Sequence, residues 1–331
     1  PAAIKVTAEY FPKKDRAFST SIFNAGASVG ALAAPLCIPP LAVKLGWEMA
    51  FIIIGALGFI WMFFWAFMYD KPENSSHVNE AELEYIHQDD AEEAAEKAAI
   101  ASQKAIPFGK CFGYRQTWAF ITGKFFTDGV WWFFLFWAPS YFSNQFNAPA
   151  TSGLGQALIF TLYAIVTVVS IGGGYLPKVF VDRKGMNPYN GRMLAMLIFA
   201  FFPLCALLAQ PMGMHFNTPW WPVVLIGLAA AGHQAWSANL FSTIGDMFPK
   251  STIATITGIG AMAGGVGSMF VQKIAGNLFT YAETQGSAFT FLGFEGKPAG
   301  YFIIFCFCGI AYLVAWAIMK CLVPQYKPIK Q

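Results

Sequence analysis

Long stretches without charged side chains alternate with short polar connections along this chain. A helix needs roughly 20 mainly apolar residues to cross the hydrocarbon core of a bilayer. Asp, Glu, Lys and Arg are absent from windows of that length or longer, namely 17–43, 49–69, 129–177, 193–245, 251–272 and 298–319. Together with the turn residues, the apolar pattern predicts membrane-crossing helices over 17–43, 47–69, 117–142, 153–177, 191–210, 219–245, 252–275 and 299–322, with residues 1–10 as the end of one more helix.

The composition indicates an integral membrane protein, whose main surroundings are the lipid bilayer. Of the 331 residues, 56% are hydrophobic and 12% are charged, against about 25% charged residues in soluble domains. The six cysteines show no CxxC spacing, so we interpret them as small core residues, without a metal or a disulfide. No phosphate-binding loop, HExxH motif or metal-spaced histidine pair occurs. We therefore expect no enzyme activity, no cofactor and no nucleic-acid partner.

Basic residues are concentrated in every second connection and at the end of the chain. They are Lys13, Lys14, Arg16, Lys178, Arg183, Lys184, Arg192, Lys250, Lys320, Lys327 and Lys330. The alternate connections 143–152 and 211–218 contain none. Because cytoplasmic loops carry the excess of Lys and Arg, this pattern predicts a multi-pass protein with a cytoplasmic C-terminus.

The polar segment 70–116 is acidic and rich in alanine, which predicts a cytoplasmic linker between two helical bundles. Within it, Asn79 and Glu82 have the spacing of a capping box at the start of a short helix. The predicted domains are the last part of an N-terminal bundle over 1–69, the linker over 70–116, and a six-helix C-terminal bundle with a short cytoplasmic tail over 117–331.

An internal repeat relates the two predicted bundles. The sequence Glu-Tyr-Phe-Pro-Lys at 9–13 matches Asp-Met-Phe-Pro-Lys at 246–250, and an apolar helix follows each in the same orientation. Parallel repeats of this kind are typical of transporters whose two halves enclose a site at the membrane midplane. Nearly equal halves would place roughly 120 residues before Pro1, so we expect the chain to be a fragment truncated at its N-terminus.

Several stretches resemble the major facilitator superfamily, and within it the anion:cation symporter family with its bacterial hexuronate transporters. They are PAAIKVTAEYFPKKDRAFSTSIFNAG from Pro1, GWEMAFIIIGALGFIW from Gly46, GKFFTD at 123–128, WWFFLFWAP at 131–139, GGYLP at 173–177, DRKG at 182–185, HQAWSAN at 233–239 and DMFP at 246–249. The resemblance covers essentially the whole chain and implies an all-α membrane fold of six plus six helices in a bacterial inner membrane. It also implies a glucuronate or galacturonate substrate and a proton as the coupling ion. The sequence departs from the family pattern in two ways. The family's acidic and arginine coupling positions fall before Pro1, and the gap between Gly174 and Asp182 is longer than the one in the superfamily's loop motif.

Lys124 and Asp128 are four residues apart and therefore share one face of a predicted membrane helix. A charge in such a helix costs about 3 kcal/mol or more and usually has a function. Lys124 would bind a substrate carboxylate, as the resemblance implies for this position, and Asp128 would hold Lys124 or join a proton relay. The alternative is a structural pair at the cytoplasmic interface, where Lys124 extends towards the headgroups.

A second polar cluster lies deep within a charge-free window and comprises His233, Gln234, Trp236, Ser237 and Asn239. Unsatisfied polar groups are costly in hydrocarbon, so these side chains must face protein or a water-filled cavity. Imidazole, amide and hydroxyl groups beside an aromatic ring suit the hydroxyls and the apolar face of a sugar acid. The alternative is hydrogen bonding between helices.

Four further residues are weaker candidates. Asn24 would reach the cavity or make a packing hydrogen bond, and Trp132 would stack on a sugar or simply pack. Asp182 and Arg183 fall in a predicted cytoplasmic loop and would form a gate, although membrane topology alone also explains the arginine.

These patterns predict hexuronate:proton symport by alternating access, in which 1–69 moves against 116–325. The small-residue pairs Gly26–Gly30 and Gly260–Gly264 would permit close helix contacts between the two halves. The alternatives are a transporter of the same fold for an aldonate, a dicarboxylate or an inorganic anion, and a transporter-like sensor that binds a solute without moving it.

Overall fold

The computed structural model describes residues 6, 9–11, 30, 32–75, 78–88 and 106–329; for 171–174, 178, 182, 246 and 250 it describes the backbone alone. The described residues are almost entirely helical, and the chain divides into two units between residues 103 and 104. This agrees with an all-α membrane fold. The predicted domain limits at 69 and 116 remain a prediction.

The first unit contains three described helices, α1 (Leu32–Leu45), α2 (Trp47–Met68) and α3 (Glu80–His87). In α2, 22 residues long, Ala50 alone is buried, so an apolar surface covers the helix on all sides, as in a helix that meets lipid. At the start of α3, the Asn79 side chain accepts a hydrogen bond of 2.8 Å from the backbone N–H of Glu82. This confirms the predicted N-cap.

The second unit is a bundle of eight helices in its described part, joined by short turns. They are α4 (Phe108–Cys111), α5 (Arg115–Phe146), α6 (Gly153–Lys184), α7 (Pro188–Ala200), α8 (Ala206–His215), α9 (Trp220–Met247), α10 (Lys250–Gln285) and α11 (Lys297–Leu322). Helix α5 packs mainly against α10 and α11, and α6 packs against α9. A two-stranded hairpin, β1 (Thr290–Phe291) and β2 (Phe294–Glu295), connects α10 to α11.

Five helical segments in the described part are long and apolar enough to cross a membrane: α2, α6, α7 with α8, α10 and α11. Helices α5 and α9 have 32 and 28 residues and pack among these segments. Helix α5 contains Lys124 and Asp128, and α9 contains the polar residues of 233–239. Helices α5 and α9 carry the candidate site residues of the second unit.

The structure changes two predicted crossings in detail: α6 ends later than predicted, and the crossing over 191–210, confirmed as the span Pro188–His215, contains a break. Helix α6 continues past Pro177 to Lys184 and ends where Gly185 adopts a left-handed conformation (φ 62°), so Asp182 and Arg183 lie in the last helical turn, not in a loop. The crossing predicted over 191–210 is interrupted by a 3₁₀ turn, Phe202–Cys205, between α7 and α8. Pro203 lies in that turn and cannot donate the backbone hydrogen bond that a continuous α-helix needs.

The C-terminal segment crosses one end of the bundle and marks which helix ends lie together. The Gln116 amide donates to the carbonyl of Lys327 (2.8 Å), and the N–H of Ile329 donates to the carbonyl of Met247 (2.9 Å). The Tyr189 hydroxyl donates to the carbonyl of Val323. The start of α5, the start of α7 and the ends of α9 and α11 therefore share one end of the bundle.

Glycines bring α5 and α10 into close contact. A Cβ atom on Gly260 would lie 1.9 Å from the Phe120 ring, and one on Gly267 would lie 2.0 Å from the Phe125 carbonyl oxygen. Since neither distance is possible for a real side chain, α10 approaches α5 over the faces of these glycines. We expected Gly260 and Gly264 at a contact between the two halves; the structure instead places their contact within the second unit.

We expect Gly267→Ala to destabilise the bundle, because the new methyl group would meet backbone that cannot rotate away. Overpacking of this kind costs about 1–3 kcal/mol. Gly265→Ala is the matched control, since nothing lies within 4 Å of a Cβ atom there. Thermal unfolding of the intact protein in detergent should show a lower Tm for Gly267→Ala alone, and equal Tm values would contradict the packing described.

Candidate functional site

A buried ion pair lies on α5. Lys124 Nζ and Asp128 Oδ2 are 2.7 Å apart, and their side chains are 8% and 13% exposed. Lys124 Nζ also lies 4.7 Å from the centroid of the Phe241 ring on α9. Asp128 contacts α10 at Gly264, where a Cβ atom would be 2.2 Å from Oδ2. The pair therefore sits where α9 and α10 both border α5.

The length of α5 bears on whether this pair belongs to the membrane interior. Its 32 residues span about 48 Å, so a centred hydrocarbon layer of about 30 Å would begin about 9 Å from Arg115. Lys124 lies about 14 Å from that end and Asp128 about 20 Å. A centred helix would hold both charges inside the hydrocarbon layer, which favours the functional interpretation over a pair at the interface.

The second carboxylate oxygen of Asp128 is unusual. Oδ1 is buried and has no hydrogen-bond partner among the described residues. An unsatisfied buried acceptor costs about 1–3 kcal/mol. Such an atom suits a site in which a further donor, such as a proton or a ligand hydroxyl, forms part of the working cycle.

His233 joins the same region through a hydrogen-bonded chain. Its Nδ1 lies 2.7 Å from the Tyr312 hydroxyl of α11, which donates to the carbonyl of Thr127 (3.2 Å). The hydroxyl has one proton, so in the tautomer in which it donates to Thr127, His233 Nδ1–H donates to the hydroxyl and Nε2 is an acceptor. The Trp131 ring stacks on His233 with centroids 5.2 Å apart. This chain ends at the residue directly before Asp128.

Tyr312 is a site residue that we did not predict. It is completely buried, and both His233 and Trp236 contact its ring. A sequence signal was present, because Tyr312 is a polar side chain within the charge-free window 298–319. The argument that selected His233 applies equally to Tyr312.

The other residues of the 233–239 cluster play different parts. Trp236 is completely buried against Tyr312, and its Nε1 has no hydrogen-bond partner in the described part of the chain. Asn239 is 3% exposed, and its amide donates to the carbonyl of Ala235 (2.8 Å). Gln234 is partly buried. The structure therefore brings His233 and Trp236 together around Tyr312.

A stripe along α5 continues from the ion pair to an open aromatic surface. Lys124, Asp128, Trp132 and Phe136 are spaced four residues apart, so they follow one another on one side of the helix. Trp132 is 38% exposed and stacks on Phe136, which is 59% exposed, with centroids 5.4 Å apart. Trp132 thus lies one turn from Asp128 and is the accessible indole of this stripe.

Three predicted residues lie away from this centre or outside the description. Asn24 lies outside the described residues. Asp182 belongs to the last turn of α6, and its side chain is not described; Arg183 is exposed in the same turn. Among the residues that the structure describes, no group of His, Cys, Asp or Glu side chains could hold a metal ion.

One family model and several known proteins resemble this chain in sequence. The family model of the Major Facilitator Superfamily matches residues 1–271. The hexuronate transporter of Escherichia coli K12 is 29% identical over 286 residues, which cover 86% of this chain and 63% of that protein. The galacturonate transporter of Dickeya chrysanthemi is 28% identical over 200 residues, 60% of this chain and 56% of that protein. A probable galactarate/D-glucarate transporter of E. coli K12 is 24% identical over 302 residues, 88% of this chain and 65% of that protein.

The fold and the site define a helical membrane protein with a polar centre enclosed by apolar helices. The chain belongs to the Major Facilitator Superfamily. It spans less than two thirds of the length of the curated relatives named here.

A double-mutant cycle measures the interaction free energy between Lys124 and Asp128. Lys124→Met leaves a buried carboxylate alone, and Asp128→Asn leaves a buried ammonium alone; each should destabilise the intact protein by about 3–5 kcal/mol. The double variant removes both charges with similar shapes and should recover most of that loss. Denaturant unfolding in detergent checks this, and additive losses would show that the two charges do not interact.

Proposed function

We propose that this chain is the greater part of a secondary transporter that carries a hexuronate with a proton across a bacterial inner membrane by alternating access. The observation that carries this proposal is the buried Lys124–Asp128 pair, whose Oδ1 has no partner among the described residues, with the aromatic stripe beside it. The names of the relatives, which specify hexuronate and galacturonate, support the substrate class.

A hexuronate has one carboxylate, a ring with several hydroxyls and an apolar ring face. Lys124 would bind the carboxylate by a charge-assisted hydrogen bond, which gains strength in a site shielded from water. His233 Nε2 would accept from a ring hydroxyl, with Gln234 and Asn239 as further amide partners. The exposed indole of Trp132 would cover the apolar ring face, while Trp236 would support His233 through Tyr312.

Proton coupling follows from competition between two carboxylates for one ammonium group. When the substrate carboxylate binds Lys124, Asp128 loses its partner while it remains 13% exposed. An unpaired charge there is costly, so Asp128 would take up a proton as the substrate binds. The loaded site then holds one ammonium, one substrate carboxylate and one neutral carboxyl group. Binding of one proton would thus accompany binding of one carboxylate.

The direction of insertion follows from the basic residues. The start of α5, the end of α6 and the C-terminal segment carry exposed Arg115, Arg183, Lys184 and Lys327. Cytoplasmic loops carry the excess of such residues, so the C-terminus would lie in the cytoplasm.

The polar groups of the site bind and exchange protons, and no chemical conversion of the substrate is part of this function.

A second candidate is transport of a related acid by the same site. One relative is named for galactarate and D-glucarate, which are diacids, and an aldonate would offer Lys124 the same single carboxylate. The uptake of labelled galacturonate is measured in the presence of each of a panel of unlabelled acids, and the acids that reduce it are identified as competing substrates. Counterflow in proteoliposomes separates any transporter from a sensor, since a sensor that binds without moving solute gives no exchange.

Lys124→Ala in the full-length protein should reduce galacturonate uptake by about 30-fold or more, since removing one partner of a buried charge pair costs about 2–5 kcal/mol. The matched control is Lys297→Ala, which removes an ammonium paired with Glu283 at the surface (3.0 Å). Uptake into cells, normalised to protein in the membrane, is the measurement. Unchanged uptake in Lys124→Ala would remove Lys124 from the site.

Asp128→Asn should separate substrate movement from proton movement, because asparagine cannot take up the proton. Galacturonate added to proteoliposomes should draw protons inward with the wild-type protein and not with Asp128→Asn, while counterflow of galacturonate persists. A pH indicator outside the vesicles records proton uptake, and labelled galacturonate records counterflow. Equal proton uptake by both proteins would exclude Asp128 as the proton carrier.

A further inference from the structure

The hairpin between α10 and α11 has an unusual tip. Strand β1 pairs with β2 so that Phe291 faces Phe294, which leaves Leu292 and Gly293 as a two-residue loop. Both loop residues have positive φ angles, 46° and 86°. Loops of this type favour Asn-Gly or Asp-Gly, because a branched apolar side chain is strained at positive φ. The Leu292 side chain is nevertheless 74% exposed at the tip.

Aromatic contacts hold this tip in a fixed place. The rings of Phe291 and Phe294 lie 6.1 and 4.8 Å from the ring of Phe302 in the second turn of α11. The N–H of Gly296 donates to the carbonyl of Phe289 (2.7 Å), and Lys297 pairs with Glu283 across the base (3.0 Å). The hairpin therefore presents Leu292 at a defined height relative to α11.

That height is close to the edge of the bilayer. Helix α11 has 26 residues and is about 39 Å long, so a hydrocarbon layer of about 30 Å leaves about 4–5 Å at each end. Phe302, which the hairpin contacts, is the sixth residue of α11 and lies about 8 Å from its start. The hairpin thus packs at the boundary between headgroups and acyl chains, at the end of the bundle away from the C-terminal segment.

The side chains near the hairpin are of the types that occur at the boundary between headgroups and acyl chains. Tyr281 is 55% exposed and its ring contacts Phe289 edge-on, with centroids 5.7 Å apart. Aromatic side chains are enriched at membrane interfaces, where one part of the ring meets acyl chains and another meets headgroups. On the same helix that carries Phe302, Phe307 and Ile310 belong to the exposed apolar surface. An apolar tip at this depth can enter lipid while Phe291 and Phe294 keep their contacts with Phe302.

We infer that the 290–295 hairpin is a membrane anchor whose tip, Leu292, inserts into the interfacial layer of the lipid bilayer. The lipid contact offsets the strain of a leucine at positive φ, which a water-facing tip would have no reason to retain. The hairpin then fixes the height of the α10–α11 connection in the membrane. This role is independent of which solute the protein carries.

The experiment places an environment-sensitive fluorophore on Leu292→Cys in the intact protein, with the native cysteines replaced. The matched control is the same label on Glu295→Cys, an exposed position two residues beyond the loop whose native carboxylate belongs in water. Both proteins are reconstituted into vesicles of phosphatidylethanolamine and phosphatidylglycerol. Quenching is compared between aqueous iodide and a lipid with a nitroxide near the glycerol end of its acyl chain.

The label at 292 should emit at shorter wavelength than the label at 295, with strong quenching by the nitroxide lipid and little by iodide. Iodide quenching at 292 equal to that at 295 would place the tip in water and overturn the inference. Protection from both quenchers would place the tip against protein and overturn it equally. If the cysteine-free protein does not fold, the native cysteines are kept and the signal of the labelled parent is subtracted.

Discussion

Two opposite charges held together inside an apolar bundle are the constraint on which the candidate site depends. Lys124 and Asp128 lose most of their hydration on α5, and their mutual attraction must replace it. Gly264 leaves the space that Asp128 occupies, and the Phe241 ring lies beneath the ammonium group. The close contact between α5 and α10 and the geometry of the ion pair are therefore one packing arrangement.

The polar groups around this pair differ in how completely their hydrogen bonds are satisfied. Asp128 has one oxygen bound to Lys124 and one without a described partner, whereas Tyr312 and Thr127 fully order His233 on the neighbouring helix. Fixed groups define the shape of a pocket, and an incompletely satisfied group is where a ligand or a proton can make a difference. The α5 stripe then continues to Trp132, whose indole is exposed.

Much of this arrangement could be predicted from the sequence, because hydrophobic windows and charge placement respond directly to the bilayer. The helices, the N-cap at Asn79 and the pairing of Lys124 with Asp128 all follow from local spacing. The contact of Gly264 with Asp128 and the hydrogen bond from His233 to Tyr312 join residues far apart in the chain, so no local pattern reveals them. The end of α6 at Lys184 was missed because a proline at 177 suggested an earlier stop, although the helix tolerates it.

Direct binding tests the central claim more strictly than transport, because uptake also fails when a protein cannot change conformation. Isothermal titration of galacturonate into the purified full-length protein would compare the wild type with the Lys124→Met/Asp128→Asn double variant, whose buried charges are both removed. The account predicts heat of binding for the wild type and none for the folded double variant. The same dissociation constant for both proteins would show that the ion pair has no part in holding the substrate.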